Sequence, residues 1–308
     1  MSINRRRFGA LSLSGVGGLL LSSCESTPEA EPALTDTTAQ PSMIDSTFHG
    51  VLIGVQSYSF RDRLLDEAIQ AIADVGSGSC EFASGHLEGG FGGSPKKARE
   101  ELRQWRLSVA LDEFEAVGKT FRDAGIDVYA YNYSFKDDFT DAEIERGFEM
   151  AQAIGAKVIT ASANVSTASR IDRYAKKYKM RVGMHNHSNI RENEFATPDD
   201  FDRARRGNSD YIAINLDIGH FTAANFDAVD YLDKHHDDIL TLHIKDRKRD
   251  QGANVPFGEG DTPIREVLAL LREKRSKIPA NIEYEYDGDD TVEEVRKCFD
   301  YCRQALGA

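Results

Sequence analysis

Four short apolar runs in this chain end in residues that can bind metal ions or carry protons. They read MHNHSN at 184–189, NLDIGH at 215–220, LHIKD at 242–246 and IEYEY at 282–286. Imidazole nitrogens and carboxylate oxygens are the groups that divalent ions and mobile protons require. If the four runs are neighbouring strands of one barrel, their polar ends converge on one point. We therefore predict a metal site or an acid–base site there.

The pattern around these runs predicts the barrel itself. From Val51 onward, short β-like runs alternate with amphipathic helical segments in eight strand-plus-helix units. The predicted strands cover 51–56, 79–82, 126–131, 158–161, 181–185, 212–217, 239–244 and 280–284. These units predict an α/β fold, a (β/α)8 TIM barrel that forms a single domain over residues 50–308. Chemistry in this fold lies at the carboxyl ends of the strands, where the chain carries its His, Asp and Glu residues.

A doubly wound open sheet is the competing fold. It would be favoured by a strand that leads into a Gly-x-Gly-x-x-Gly turn, and the sequence has none. The glycine-rich stretch Gly85–Gly93 has a different spacing, and we interpret it as an active-site loop.

Local signals mark some of the helix ends. Thr140 and Glu143 form a predicted capping box, and Gly155 is a predicted helix end. Pro198 is suited to the first turn of a helix. These residues predict one helix from about 141 to 154 and another that begins at 198.

The N-terminus has the features of an export signal. Residues 4–8 (NRRRF) resemble a twin-arginine signal, and residues 21–24 (LSSC) resemble a lipoprotein cleavage box. The apolar stretch between them is too short for a permanent membrane span. We predict a signal at 1–24, lipidation of Cys24, a flexible linker at 25–49, and export to the periplasm or cell envelope as a lipoprotein. The alternative is a disordered basic tail.

Charge and cysteine content limit the partners. The formal net charge is −13, which repels phosphate backbones, so we expect no nucleic-acid partner. Contact with a membrane is expected only through the N-terminal lipid. Besides Cys24 the chain has Cys80, Cys298 and Cys302, an odd number, and we predict no disulfide framework.

The order of the strand-end motifs resembles the xylose isomerase-like TIM-barrel family of sugar phosphate isomerases and epimerases. The resemblance covers about residues 50–306 and depends most on LDIGH (216–220), HIKD (243–246) and IEY (282–284). The segment FGEGD (257–261) resembles the family's substrate-side loop. The resemblance implies a metal-dependent enzyme with a small carbohydrate substrate.

Family members typically hold one divalent ion with a Glu, an Asp, a His and a second Glu. Carried over by position, the last three are Asp217, His243 and Glu283, whereas His185 stands where the first Glu is expected. The resemblance therefore implies a metal site of His185, Asp217, His243 and Glu283. A mixed nitrogen and oxygen set suits Mn, Co, Fe or Zn better than Mg.

The His-x-His arrangement resembles the inosose dehydratase and hydroxypyruvate isomerase branches. That resemblance implies enolate chemistry next to a ketone, with isomerisation, epimerisation or loss of a β-hydroxyl as the outcome. The acid–base candidates are His187, Lys245 and Glu285, and the substrate-binding candidates are His86, His220 and Glu259. Glu81 could touch the substrate or pair with a neighbouring strand. Tyr58, Tyr131 and Phe91 could stack on a sugar ring, although aromatic residues that line barrels more often belong to the core.

Some alternatives stay open at this point. Glu283 and Glu285 share one face of the predicted strand, so either could bind the ion, and Glu192 or Glu194 could supply the carboxylate instead. A non-catalytic sugar-binding lipoprotein is the first rival function. An endonuclease IV-like nuclease is the second, and the acidic charge counts against it.

Overall fold

The computed structural model describes residues 42–89 and 94–308, and their architecture is a closed TIM barrel, as predicted. A two-residue strand, β1 (Thr47–Phe48), precedes the barrel. The eight barrel strands are parallel, and the last pairs with the first. They are β2 (Val51–Gln56), β3 (Ser79–Ala83), β4 (Asp127–Asn132), β5 (Val158–Ala161), β6 (Val182–His185), β7 (Ile212–Asp217), β8 (Ile239–Ile244) and β9 (Ala280–Ile282).

Helices follow the strands and cover the barrel. They are α1 (Leu65–Val75), α2 (Pro95–Ser108), α3 (Leu111–Asp123), α4 (Asp141–Ile154), α5 (Ala168–Tyr178), α6 (Pro198–Arg205), α7 (Ile218–Ala223), α8 (Ala228–His235), α9 (Ile264–Glu273) and α10 (Thr291–Leu306). Strands β5 to β9 are buried at every position. Such burial is expected for parallel strands with covering on both faces.

Two elements differ from the sequence prediction in a way that affects the site. Strand β9 ends at Ile282, so the residues from Glu283 onward follow the strand instead of completing it. The short helix α7 was not predicted, and it begins directly after Asp217. Both differences concern the polar ends of strands, where side chains begin to accept from backbone amides: Asp217 Oδ1 accepts from His220 and Ser59 Oγ from Tyr284.

The predicted capping box at the start of α4 is confirmed. Thr140 Oγ1 accepts a hydrogen bond from the Glu143 amide at 3.2 Å, and Glu143 Oε2 accepts one from the Thr140 amide at 2.9 Å. The fully buried Glu143 carboxylate also pairs with Arg99 at 3.0 Å and Arg103 at 2.8 Å on α2. Gly155 ends α4 with a φ of +91°, and α6 begins at Pro198 as predicted.

Residues 42–49 belong to the folded domain, although the sequence predicted a linker up to residue 49. Strand β1 pairs antiparallel with β2, and the buried Ser46 donates a hydrogen bond from Oγ to the Ile53 carbonyl at 2.7 Å. The Ile44 amide donates to the Gly125 carbonyl at 2.9 Å. The domain boundary therefore lies N-terminal to the predicted one. The predicted signal, Cys24 and the linker up to residue 41 lie outside the described residues.

The described part of the chain contains three cysteines and ten α-helices, which can be compared with the expectations for disulfides and membrane spans. Cys80, Cys298 and Cys302 are buried free thiols there. Within residues 42–89 and 94–308, no helix combines the length and apolar character needed to cross a bilayer.

Candidate metal centre and active site

Four side chains from consecutive strands meet at the carboxyl end of the barrel. His185 and Asp217 are the last residues of β6 and β7, His243 lies near the end of β8, and Glu283 follows β9. Asp217 and His243 are register partners across β7 and β8. Each of the four offers one ligand atom, and these atoms all lie within 4.8 Å of one another. The cluster contains the four residues that the sequence assigned to a metal site.

The distances within the cluster are those of a compact donor set. Asp217 Oδ2 lies 3.5 Å from His185 Nε2 and 3.9 Å from His243 Nδ1. Glu283 Oε2 lies 3.0 Å from His243 Nδ1. All four residues are buried, so water cannot freely satisfy them.

Two of these atoms are left without a hydrogen bond among the described residues, and both face the cluster. They are His185 Nε2 and Asp217 Oδ2. The other Asp217 oxygen, Oδ1, accepts from the His220 amide at 2.6 Å and thereby caps helix α7. Asp217 Oδ2 is, however, ion-paired with Lys245 Nζ at 3.1 Å, so the atom without a partner is His185 Nε2. A buried polar atom without a partner is costly, and a divalent cation would satisfy His185 Nε2 and share the charge of Asp217. The set of two imidazoles and two carboxylates fits a transition-metal ion or zinc.

Outer hydrogen bonds orient the two imidazoles. His243 Nε2 lies 2.9 Å from Glu81 Oε1, and His185 Nδ1 lies 3.1 Å from Ser162 Oγ. Glu81 is fully buried and also accepts from Thr160 Oγ1 at 2.7 Å and Gln56 Nε2 at 2.9 Å. Such second-layer partners fix the ring orientation of a metal-binding histidine.

Two neighbouring carboxylates, Glu81 and Glu283, favour the charged form of the His243 imidazole. Burial opposes a charge on this imidazole, but Glu81 and Glu283 outweigh that effect and raise its pKa well above the usual value. An ion bound at Nδ1 would have to displace a proton, so ion binding at this cluster is expected to release protons.

Lys245 is held as a cation beside the cluster. Its Nζ lies 3.1 Å from Asp217 Oδ2, 2.8 Å from Glu283 Oε2 and 2.6 Å from Glu285 Oε2. Burial works against its charge, but these three carboxylates raise the pKa of Lys245 above its ordinary value. A lysine in this environment is suited to donate a hydrogen bond and is poorly suited to act as a base.

A cavity of about 230 Å³ opens above the cluster. It is lined by Gln56, Tyr58, Ala83, Asn132, Ser162, His185, His187, His220, His243, Glu283 and Glu285. Burial, followed by the neighbouring His185, lowers the pKa of His187 to about 3, so this imidazole is neutral near pH 7. Tyr58 is 42% exposed at the cavity, which suits a platform for a ligand ring.

A second cavity of about 360 Å³ adjoins the first one. His187 and His220 line both. The second cavity is otherwise lined by Ser188, Asn189, Arg191, Glu194, Arg247 and Gln251.

The other predicted residues are distributed as follows. Glu285 pairs with Lys245 and lies outside the four-residue cluster, as do Glu192 and Glu194, so among the carboxylates considered only Glu283 lies in it. His86 stacks on Phe82 and places Nε2 3.0 Å from the Ser57 carbonyl. Neither His86 nor Glu259, which is exposed, is among the residues that line the two cavities. Tyr131 is buried in the core, and Phe91 lies outside the described residues.

Asn186 and Arg247 are among the residues at the site that the sequence did not single out. Asn186 accepts from the Asp217 amide at 2.9 Å and donates to the Asp217 carbonyl at 3.1 Å, which ties the end of β6 to that of β7. Arg247 places Nη1 2.8 Å from His220 Nδ1. In the sequence, Arg247 belongs to the charged run DRKRD (246–250), a pattern that usually indicates a solvated surface.

Comparison with solved structures finds the same fold in proteins of low sequence identity. The 3-keto-D-glucoside 4-epimerase YcjR from E. coli is 16% identical over 82% of this chain and 99% of its own, with a TM-score of 0.62. The probable 3-DHS dehydratase AsbF from Bacillus anthracis is 15% identical over 81% and 98%, with a TM-score of 0.59. The IolI protein, whose structure contains a zinc atom, is 14% identical over 83% and 96%, with a TM-score of 0.60.

A search of curated proteins found no match. A family model does match, over residues 69–304 and thus over more than half of the chain, and its description is the xylose isomerase-like TIM barrel. The matched region contains all four residues of the cluster, and the sequence motifs had pointed to the same family. The chain therefore belongs to the xylose isomerase-like TIM-barrel family.

Proposed function

We propose that the protein is a divalent-metal-dependent enzyme that removes a proton next to the carbonyl of a keto-sugar. The enolate formed in this way would lead to an isomer, an epimer or a β-elimination product. The observation that carries the proposal is the buried cluster of His185, Asp217, His243 and Glu283, in which His185 Nε2 has no hydrogen-bond partner among the described residues. When bound there, a divalent ion supplies a Lewis acid that polarises the substrate carbonyl.

The side chains around the cluster have distinct parts in this proposal. His187 and Glu285 line the cavity and are the two groups that can take the proton. Lys245 keeps its positive charge and donates a hydrogen bond to the oxygen on which negative charge develops. Ketose epimerases of the family use two glutamates as the acid and the base on opposite faces of the substrate. Because His185 replaces one of them, His187 and Glu285 are left as the proton carriers.

A carbohydrate substrate is supported by the lining of the cavity and by the family. The lining is polar apart from Tyr58 and Ala83, and Tyr58 offers the kind of aromatic face that sugar rings stack on. The E. coli neighbour carries the name of a keto-glucoside epimerase, and AsbF that of a probable dehydratase. If the protein is exported, an unphosphorylated sugar or an oxidised glycoside is a more accessible substrate than a phosphorylated one.

Solvent-deuterium exchange tests this function directly. Protein loaded with Zn²⁺ would be incubated in D₂O with a methyl 3-keto-glucoside, and deuterium uptake would be followed by mass spectrometry against a protein-free control. We expect the protein to accelerate exchange next to the ketone. Asp217→Ala should lower the accelerated rate by about a hundredfold or more, since a Lewis acid contributes several kcal/mol.

The matched control is Arg249→Met, because Arg249 is exposed and lies outside both cavities. The Arg249→Met protein should catalyse deuterium exchange at the wild-type rate. Binding of the keto-glucoside with no exchange above the control, with each ion tested, would contradict the proposal and favour a sugar-binding protein. Salt-sensitive binding of DNA would favour the nuclease instead.

A further inference from the structure

The second cavity contains an arginine that is held rigidly in its wall. Arg247 follows β8, and its Nε and Nη2 donate to the Gly252 carbonyl at 3.1 and 2.6 Å. Its Nη1 donates to Ser188 Oγ at 2.8 Å. The guanidinium is therefore in place before any ligand arrives, so little side-chain entropy would be lost on binding.

Arg247 carries a half-buried positive charge for which the described residues provide no ion pair. Burial lowers its pKa from the ordinary value, and the carboxylates of Asp217 and Glu285 act on it only over a distance. The other buried cations near the barrel mouth are paired directly, Lys245 with three carboxylates and Arg106 with Glu88 at 2.7 Å. An arginine cannot lose its proton, and a charge that is partly removed from water gains most from a partner of opposite sign.

The other residues that line the second cavity also favour a negatively charged ligand. Arg191 also lines it and makes one weak contact, at 3.8 Å, with Glu194. Two cations therefore face this cavity against one carboxylate, in a protein whose net charge is −13. Ser188, Asn189 and Gln251 add polar groups to the wall. A local positive field of this kind attracts anions into a cleft.

The cavity lies next to the metal cluster. Arg247 Nη1 contacts one nitrogen of His220, and the other nitrogen of that ring lies 3.8 Å from Asp217 Oδ2. One imidazole therefore separates the guanidinium from the cluster. A substrate with its carbonyl in the first cavity would extend its distant end into the second.

We propose that the second cavity is a subsite for an oxyanion, a carboxylate or a phosphate, carried by the substrate at a distance from its reacting carbonyl, with Arg247 as the main receptor. This inference rests on the proposed function, which identifies the substrate as a sugar. It adds that the preferred sugar is acidic. Four of the five guanidinium N–H groups already donate, to Gly252, Ser188 and His220, so Arg247 would attract the oxyanion through its charge and its remaining Nη2 N–H. A hydrogen bond of this type is strengthened by the two charges.

Calorimetric binding to the zinc-loaded protein tests the subsite with two pairs of probes. Methyl β-glucuronide and methyl β-glucoside differ only in a carboxylate in place of the C6 hydroxymethyl group, and glucose 6-phosphate and glucose differ by a phosphate. The anionic member of at least one pair should bind about tenfold more tightly, which corresponds to one charge-assisted hydrogen-bonded contact. The pair with the larger difference identifies the natural oxyanion. The preference should weaken as salt is raised, because the cavity is open to solvent.

Variants then assign the preference to Arg247. Arg247→Met should bring the two members of the pair to within about twofold. Arg247→Lys should keep part of the difference, because it retains the charge and loses the contacts with Gly252 that hold the charged group in place. The matched control is Arg249→Met, which removes one charge from the exposed part of the same loop and should keep the full preference. Equal binding of the anionic and neutral probes by the wild type would overturn the subsite. So would a preference that persists in both Arg247 variants.

This experiment separates the subsite from the function on which it rests. Exchange on a neutral keto-glucoside without any anion preference would remove only the subsite. An anion preference without exchange would remove the reaction and leave the subsite in place.

Discussion

At the scale of single residues, Asp217 connects the fold to the candidate chemistry through its two oxygens. Oδ1 caps α7 by accepting from the His220 amide, and Oδ2 faces the cluster, 3.5 Å from His185 Nε2 and 3.1 Å from Lys245 Nζ. The cap fixes the rotation of the carboxylate, and Asn186 fixes its backbone from the other side. Orientation of a ligand by its neighbours is what a strong metal site requires.

Glu81 provides a test at the same scale. Glu81→Gln would weaken the hydrogen bond from His243 Nε2, which is now made to a buried carboxylate at 2.9 Å. We expect metal affinity to fall by about tenfold or more, as is typical for loss of such a partner. Competition with a chromophoric chelator measures this directly.

Glu143→Gln is the control for this change. It also alters a fully buried carboxylate, but one that pairs with arginines of α2 far from the cluster. It should lower thermal stability and leave metal affinity unchanged. Equal metal affinity in wild type and Glu81→Gln would show that Glu81 has no part in holding His243.

The residues of the cluster could be predicted because such residues end consecutive predicted strands and because the motifs resemble those of a metal-binding family. The choice between Glu283 and Glu285 could not, since a period of two places both on one face. Geometry separates them: Glu283 Oε2 lies 3.0 Å from His243 Nδ1, whereas Glu285 reaches Lys245. Arg247 could not be recognised because only the folding of its loop turns it toward the cavity.

At the scale of elements, the sequence predicted the boundaries of a strand correctly where clear turns bound that strand. Strands β2, β5, β7 and β8 have the predicted bounds. Strand β9 is shorter than predicted because its pairing with β2 ends at Ile282, and the chain then turns its carboxylates toward the cavity. Helix α7 has only six residues, too few for a periodic pattern.

The capping box of α4 allows a prediction for an element. Thr140→Ala removes a side chain that accepts from the Glu143 amide at 3.2 Å, and should lower the free energy of unfolding by about 1 kcal/mol. Urea denaturation measures the change. Thr120→Ala is the control, because Thr120 lies inside α3 and alanine is the better helix former there. A larger loss for Thr120→Ala than for Thr140→Ala would contradict this role of the box.

At the scale of the whole molecule, barrel closure explains why a one-dimensional pattern was informative about the site. Eight parallel strands in sequence order bring all their carboxyl ends to one rim, so the order of the motifs already defines their neighbours. The domain boundary was less predictable. Residues 42–49 lack periodicity, yet they pack against the barrel through Ile44, Phe48 and Ser46.

Lipidation at Cys24 is a prediction about the whole molecule. In cells of a lipoprotein-processing host, Cys24→Ala should move the protein from the membrane fraction to the soluble fraction, because a lipid chain is the expected anchor. Cell fractionation followed by immunoblotting measures this. Cys298→Ala, a change of a buried thiol in α10, should leave the distribution as in wild type. A soluble wild-type protein would refute the anchor.

The metal content of the purified domain tests the central claim most directly. Protein from residue 42 onward would be loaded with Mn, Co, Fe or Zn, dialysed and analysed for metal beside Asp217→Ala and His243→Ala, with Arg249→Met as the control. We predict one equivalent of ion in wild type and control, and less than about a tenth of that in both site variants, since each loses a direct ligand. No bound ion in the wild type after loading, or an equal content in the site variants, would contradict the metal centre.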